Sequence, residues 1–444
     1  MAVNKSLRQQ VWTLVWPAML QGLLSTVILF TDRLILGSYS DSALGSMQVS
    51  GPVLWSLFSI FGAYSIGVLA VIGRGIGAQE YDKSSQAYAT SMLIALTVGG
   101  VVGVLGYVFR SDMAAFLIGE RGEISAAKQL AEVYLGPVFL SGPLLLLGSV
   151  TFVAFQASGD TKTPMWLTFF AGGLNLFVSW VLVFGKFGFP DLGILGASIG
   201  TVCANVSNAV LGVYFIHRHH QTIRIVAPSR EAFRSIMKIA WPAFGEKVLF
   251  HTGFLVFAGY IGRLGDLEMA THQAMMAIES LGFIGAHAFG IAAGALVAQK
   301  LGAKNPLEAQ QVVMYSAKLG FVSLSVIGVF FYTQAEWLIG LFSQDPAVIG
   351  LGVQCMTIAA VAQPLMAFTD VYGGALRGAG DTKTPLKVAI LGPLIVRPIA
   401  CYYLAFTCGY GLFGIWIGST LDWVVRSLLL YIAFRKGKWK HIKI

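Results

Sequence analysis

Asp32 is the residue in this chain whose surroundings most need a chemical reason. It stands inside an apolar run that begins near position 10. An ionised carboxylate there costs about 2.5 to 3.5 kcal/mol on insertion scales, so its default explanation is a function. A buried carboxylate of this kind can exchange a proton or a small cation. Gln21 lies eleven residues earlier, within about 20° of the same helical face. Pro17 is expected to bend the helix, so Gln21 and Asp32 together would line a cavity. Arg33 beside Asp32 supports a competing reading, a structural ion pair near the outer membrane surface. Asn175 and Ser179 are four apart and share a helix face. Thr201 sits in the small-residue run Gly196-Ala197-Ser198-Ile199-Gly200-Thr201. Each alone reads as an interhelical hydrogen bond. Clustered around Asp32, they would supply the oxygens that a proton-exchanging carboxylate or a hard cation requires.

The second half places Glu246, Glu279, Asp370 and Arg397 inside apolar stretches. Glu246 follows Pro242 by four residues, as Gln21 follows Pro17. Glu279 shares a helical face with His272, Met275, Met276 and Phe283. That mix of adaptable apolar surface and one buried charge suits a lipophilic cation. The structural alternative is that Arg397 neutralises Glu279 or Asp370 and holds the fold together. Asp422 and Arg426, four apart, read as an intrahelical pair.

Other chemistries find no support in the sequence. The phosphate-cradling GxxxxGK[ST] and the zinc motif HExxH are absent. Cys203, Cys355, Cys401 and Cys408 form neither a disulfide framework nor a CxxC. The seven histidines lack ligand spacing apart from the loop cluster His217, His219 and His220. No paired nucleophile and base is visible. An enzyme is therefore not expected, nor a metal site or a cofactor. Ion gradients remain as the energy source, worth about 2.3 kcal/mol per charge per 100 mV.

The elements that must position these residues are membrane helices. Of 444 residues, 56% are apolar and 11% are Asp, Glu, Lys or Arg, against roughly 25% charged in an ordinary soluble domain. Twelve apolar stretches can each supply the roughly 20 residues that a spanning helix needs. Of the 30 Lys and Arg residues, 20 fall in loops on the side of the termini and five on the other side. That asymmetry predicts cytoplasmic termini and accounts for the net charge of +9 without a nucleic-acid partner. The first apolar run carries Pro17, Gln21, Asp32 and Arg33 and no clean cleavage site, so it does not read as a signal peptide and Met1 is expected to be retained.

The chain also repeats itself. Gly159-Asp160-Thr161-Lys162-Thr163-Pro164 recurs as Gly380 to Pro385, an offset of 221 residues. Trp16-Pro17-Ala18 recurs as Trp241-Pro242-Ala243, and Gly77-Ala78 as Gly302-Ala303, both at 225. The expected fold is an all-α polytopic membrane protein. It has twelve transmembrane helices in two six-helix lobes, related by a pseudo-two-fold axis along the membrane normal. The expected organisation is an N-lobe over 1–216, a cytoplasmic basic linker over 217–233 and a C-lobe with a basic tail over 234–444. Ser229 is expected to cap a short helix in or after the linker, lying on the cytoplasmic leaflet.

The Trp-Pro-Ala start with Asp32 fifteen residues beyond Pro17, the doubled GDTKTP, the run Phe187 to Ala197, and Ile278-Glu279-Ser280-Leu281 ahead of Gln299-Lys300-Leu301-Gly302-Ala303 resemble the multidrug and toxic compound extrusion (MATE) family. The resemblance covers nearly the whole chain. It implies two lobes around a V-shaped cavity, and efflux of organic cations in exchange for H⁺ or Na⁺. Asp32, Asn175 and Thr201 match positions of the family's N-lobe cation site. Where archaeal-type members carry a second Asp one turn beyond the Asn, this chain has Ser179, which favours H⁺ over Na⁺. The expectation is a monomeric antiporter in a bacterial-type inner membrane, exporting amphipathic organic cations amid membrane lipids. The alternative is an exporter of lipid-linked saccharide or a metabolite with the same architecture.

Overall fold

The computed structural model describes residues 6–118, 125–219 and 222–444. Lys5, Arg121 and His220, named or counted above, lie outside the described residues. Among the described residues there is no strand. The helices are α1 (Leu7–Tyr39), α2 (Asp41–Phe61), α3 (Tyr64–Gly77), α4 (Tyr81–Val108), α5 (Arg110–Ile118), α6 (Ser125–Leu140), α7 (Gly142–Ala157), α8 (Lys162–Val183) and α9 (Ile194–His219). They continue with α10 (Arg230–Gly262), α11 (Asp266–Gly302), α12 (Pro306–Thr333), α13 (Ala335–Gly340), α14 (Pro346–Gly378), α15 (Lys383–Ala389), α16 (Arg397–Tyr402) and α17 (Gly411–Arg435).

Among the described residues, ten helical segments are long and apolar enough to cross a membrane, and α6 with α7 makes an eleventh, bent by 57°. The bend falls at Ser141, before Gly142 and Pro143, where proline withholds a backbone donor. The 33-residue α10 supplies the remaining span and carries Glu246 and Lys247 within it. Length and composition thus mark ten or eleven spans among the described residues, and α10, which falls outside that set, completes the twelve expected from sequence. The second expected span is also divided, with α2 ending at Phe61 and α3 starting at Tyr64. Lys383–Thr407 runs as one span but widens into π-helix at Ile390–Val396 and Tyr403–Thr407, on either side of α16. The short leaflet helix expected after Ser229 is not separate. Its residues are the first turns of α10, where Ser229 accepts from the Phe233 N–H through its carbonyl and Ile236 is fully buried.

The repeated GDTKTP is a helix stop followed by a helix start. Gly159 and Gly380 adopt φ of 84° and 88°, the left-handed conformation that glycine takes without penalty just past a helix C-terminus. The Asp160 N–H then reaches back to the Phe155 carbonyl at 2.9 Å, and the Asp381 N–H to that of Leu376 at 2.8 Å. The aspartate side chains turn forward. Asp160 accepts from the Lys162 and Thr163 N–H groups and the Thr163 hydroxyl. Asp381 accepts from the Thr384 N–H and hydroxyl. These bonds satisfy the donors that a helix start leaves unpaired.

The chain packs as two compact units. One comprises Leu20–Val68 and Glu80–Ile236; the second comprises residues up to Met19, Leu69–Gln79 and Met237–Ile444. The units depart from a simple division by halves at two places. The start of α1 and most of α3 pack with the C-terminal residues. Helix α1 therefore changes unit between Met19 and Leu20, two residues after Pro17.

The second unit's principal core joins Val11, Leu14 and Val15 of α1 to Phe289, Ala292 and Val297 of α11, with Met366 and Val371 of α14 and Trp423 of α17. Within this unit the repeat becomes a physical contact. A Cβ on Gly77 would collide with the Gln299 carbonyl, and one on Gly302 with the Arg74 carbonyl. Residues 74 and 299, like 77 and 302, are 225 apart, so the contact maps onto itself as a two-fold relation demands. Small residues allow this backbone approach.

Candidate functional site

In the first unit, the polar side chains singled out from sequence converge. Asp32 lies in the last third of α1, toward its C-terminal end, and its side chain is turned inward, 9% exposed. Ile28, one turn earlier, rests on Gly172 of α8 closely enough that a Cβ there would collide with it. Gln21 donates from Nε2 to the Thr168 hydroxyl at 3.2 Å. Gln21 to Asp32 and Thr168 to Ser179 are both eleven-residue steps, each rising about 16 Å along its helix. α1 and α8 therefore carry two polar levels joined by an apolar stretch.

Helix α9 is drawn onto α8 by glycines. A Cβ on Gly200 would strike the Ser179 hydroxyl, and one on Gly196 would lie 2.6 Å from the Leu182 carbonyl carbon. That approach creates a hydrogen-bonded chain. Ser179 donates to Asn175 Oδ1 at 3.3 Å, and Asn175 Nδ2 donates to Thr201 Oγ1 at 3.5 Å. Thr201 in turn shares a hydrogen with the Tyr134 hydroxyl at 3.2 Å. Tyr134, on α6, is also close enough to Asp32 to interact with its charge. One turn beyond Thr201, Asn205 donates to the Ser141 hydroxyl at 3.0 Å, tying α9 to the bend between α6 and α7.

Within this cluster Asp32 Oδ1 is buried and has no hydrogen-bond partner. No ion pair joins Asp32 to Arg33 or to another cation among the described residues. Arg33 is only half-buried and points about 100° around the helix from Asp32. The outer-surface ion pair considered from sequence is thus absent. An unpaired, buried carboxylate oxygen favours whatever neutralises it, a proton or a cation. Tyr134 was not legible beforehand, because a lone tyrosine within an apolar span carries no spacing that marks it.

The second unit presents the opposite electrostatics: every singled-out acid has a cation nearby. Glu246 accepts from Arg377 Nη1 at 2.8 Å. Asp370 lies 4.0 Å from His287 Nδ1 and within electrostatic range of Arg377 and Arg426. Arg397 does not pair directly with Glu279 or Asp370. Its Nη2 lies 2.8 Å from Asp422 Oδ2. Arg426 approaches the same carboxylate, with Nη2 2.9 Å from Oδ2 and Nε donating to Oδ1 at 3.0 Å. Asp422 is completely buried between the two guanidinium groups, so the intrahelical pair expected from sequence is one arm of a triad. Glu279 is buried within electrostatic range of Arg397.

His272 packs between Phe257 and Trp416, with ring centroids at 5.4 and 5.8 Å. Its Nδ1 and the Trp416 Nε1 are both buried without partners. Met275 lies in the apolar core with Phe257 and Trp416. Met276 and Phe283 are partly buried, and Phe283 rests on Trp423 at 5.7 Å. Among the described residues there is no group of three or more His, Cys, Asp or Glu placed to hold a metal ion.

Comparisons with known proteins agree with this architecture. The MatE family model matches residues 17–181 and 242–403. The chain is 28% identical over 98% of its length to a "Probable multidrug resistance protein NorM" of Thermotoga maritima, covering 93% of that protein. It is 25% identical over 94% of its length to the "Multidrug export protein MepA" of Staphylococcus aureus, covering 92% of it. Among solved structures, an outward-facing multidrug resistance MATE family transporter superposes with a TM-score of 0.90 at 17% identity, over 99% of this chain and 98% of that one.

Proposed function

The chain belongs to the MatE family of multidrug efflux transporters, and we propose that it is a proton-coupled antiporter that exports amphipathic organic cations. The observation that carries this reading is the asymmetry of charge. Asp32 is a buried carboxylate with an unpartnered oxygen, whereas the acids of the second unit lie near arginines or histidine. Asp32 can bind and release an ion without first breaking a buried ion pair, a step that would cost about 3 to 5 kcal/mol at Glu246 or Asp422.

The surroundings of Asp32 favour the proton. Tyr134, Thr201, Asn175 and Ser179 offer neutral oxygens and only Asp32 a charge, and one proton neutralises that charge completely. Sodium would need several oxygens arranged around it, with more negative charge than Ser179 supplies. Coupling then works by competition. With Asp32 ionised, the site favours a positive cargo; with Asp32 protonated, that attraction is lost. Linkage requires cargo to weaken proton binding by the same factor that protonation weakens cargo binding. Pro17, two residues before α1 changes unit, is the point at which the helix can bend when Asp32 changes charge.

On this reading, Glu279, His272, Met276 and Phe283 of the second unit contribute to cargo recognition, and Gln21 of the first unit does so by itself, beside Thr168. Glu246 and Asp370 serve mainly as partners of Arg377 and His287. The protein acts as a monomer, without a bound cofactor, in a bacterial-type inner membrane with both termini cytoplasmic.

The test is transport by purified protein in proteoliposomes, with cargo at equal concentration inside and outside and either a pH or a sodium gradient imposed alone. Accumulation of a fluorescent organic cation driven by the pH gradient, with sodium giving no more than the ungradiented rate, is the expected result. Equal or greater drive by sodium would overturn the choice of ion. No drive by either would overturn antiport.

A further inference from the structure

We propose that the outer face of the second unit holds one anionic phospholipid, clamped between Lys318 and Arg435. The cleft lies between α12, α14 and α17 and encloses about 370 Å³. Its walls are Phe321, Phe368, Tyr372 and Tyr431, and its only charged lining residues are the two cations. Phe321 stacks on Phe368 at 5.4 Å, Phe368 on Tyr372 at 6.1 Å, and Tyr372 meets Tyr431 edge-on at 5.5 Å. This continuous aromatic wall is apolar enough to seat acyl chains.

Among the described residues, the two cations have no protein counter-charge. Among the described residues, neither Lys318 nor Arg435 has a carboxylate within salt-bridge distance, and both are exposed. Arg435 lies over the Tyr431 ring at 6.0 Å, which orients the guanidinium without neutralising it. Lys318 is twelve residues into α12, roughly 18 Å from the helix start. An ammonium on the lipid-exposed side at that depth is unfavourable unless it reaches back along its alkyl stem toward the helix end. That direction leads toward Gln310, two turns nearer the helix start on the same cleft, whose Oε1 accepts from Lys440 Nζ at 2.6 Å. A third cation is therefore held at the rim. Three cations without an acid, above an aromatic wall inside a membrane, are complementary to a phosphate headgroup with acyl chains attached. The surrounding bilayer supplies that molecule at high concentration.

The test is binding of dioleoyl phosphatidylglycerol, compared with dioleoyl phosphatidylcholine, to delipidated full-length protein. The readouts are native mass spectrometry and the thermal midpoint. The wild-type protein should retain one phosphatidylglycerol roughly thirtyfold more tightly than phosphatidylcholine, from about one increment of surface attraction for each of the two clamping cations, Lys318 and Arg435. Lys318→Gln with Arg435→Gln should abolish that preference. Lys186→Gln with Arg263→Gln, which removes the same charge elsewhere, should keep it. If the double variant does not fold, Lys318→Arg should preserve the preference and Lys318→Met should lose most of it. No headgroup preference in the wild type, or a preference that survives loss of both cations, would overturn the proposal.

Discussion

Replacing Asp32 with Asn is expected to lower ion-driven export on the order of a hundredfold, the upper part of the range for coupling between two ligands. The substitution keeps the shape of the side chain and removes its charge. It therefore fixes the site in the condition that a bound proton creates, and the ion gradient has nothing left to act on. Stability should be unchanged or slightly higher, because Asp32 contributes no ion pair and Oδ1 no hydrogen bond to the folded state, while its burial as an anion is unfavourable. The measurement is the initial rate of cation export from vesicles under an imposed pH gradient, with thermal unfolding of the same preparation as the control. Export within about twofold of wild type would remove Asp32 from the coupling step, since that is well below the typical coupling range.

The largest structural effect is expected at Asp422. It is completely buried, with Arg397 Nη2 at 2.8 Å and Arg426 Nη2 at 2.9 Å. Asp422→Asn leaves two guanidinium groups facing each other without an anion. Removing one partner of a buried ion pair costs about 3 to 5 kcal/mol. The loss should show as a sharply shortened half-life of the detergent-solubilised protein at a fixed elevated temperature, the suitable readout where unfolding is irreversible. Asp422→Asn combined with Arg426→Gln should recover part of that half-life, because one of the stranded cations is also gone. An unaltered half-life in Asp422→Asn would mean that Asp422 does not compensate the two arginines.

The contrast between these two carboxylates shows what the linear sequence could convey. Both are acids in apolar helices next to, or one turn from, an arginine. Asp32 precedes Arg33 directly, and adjacent residues on a helix point about 100° apart. Sequence proximity therefore suggested a pair where the geometry provides none. Asp422 and Arg426 are four apart and do pair. The third partner, Arg397, comes from the preceding span. Its direction is set by π-helical segments on either side of α16, and no residue pattern announced them. The expected pairing of Arg397 with Glu279 or Asp370 was reasonable by charge and differs from the observed contact for that reason.

The repeats were legible because they are local. Gly159-Asp160 and Gly380-Asp381 close and open helices through bonds within a few residues. The grouping of Leu69–Gln79 with the second unit was not legible. It depends on Gly77 and Gly302 meeting backbone more than 200 residues away. The cluster of Asn175, Ser179 and Thr201 could be anticipated from helical spacing and the Gly196 to Thr201 run. Tyr134, which meets the Thr201 hydroxyl and lies within electrostatic range of Asp32, comes from α6, a different helix from the residues it joins.

Competition between proton and cargo at Asp32 is tested most directly by following the proton itself. Purified protein in weakly buffered detergent solution, mixed with a saturating organic cation, is expected to release protons near neutral pH, at most one per cargo bound. The Asp32→Asn protein is expected to release none. Cargo binding without proton release in the wild type, or equal release by the Asp32→Asn protein, would contradict the account.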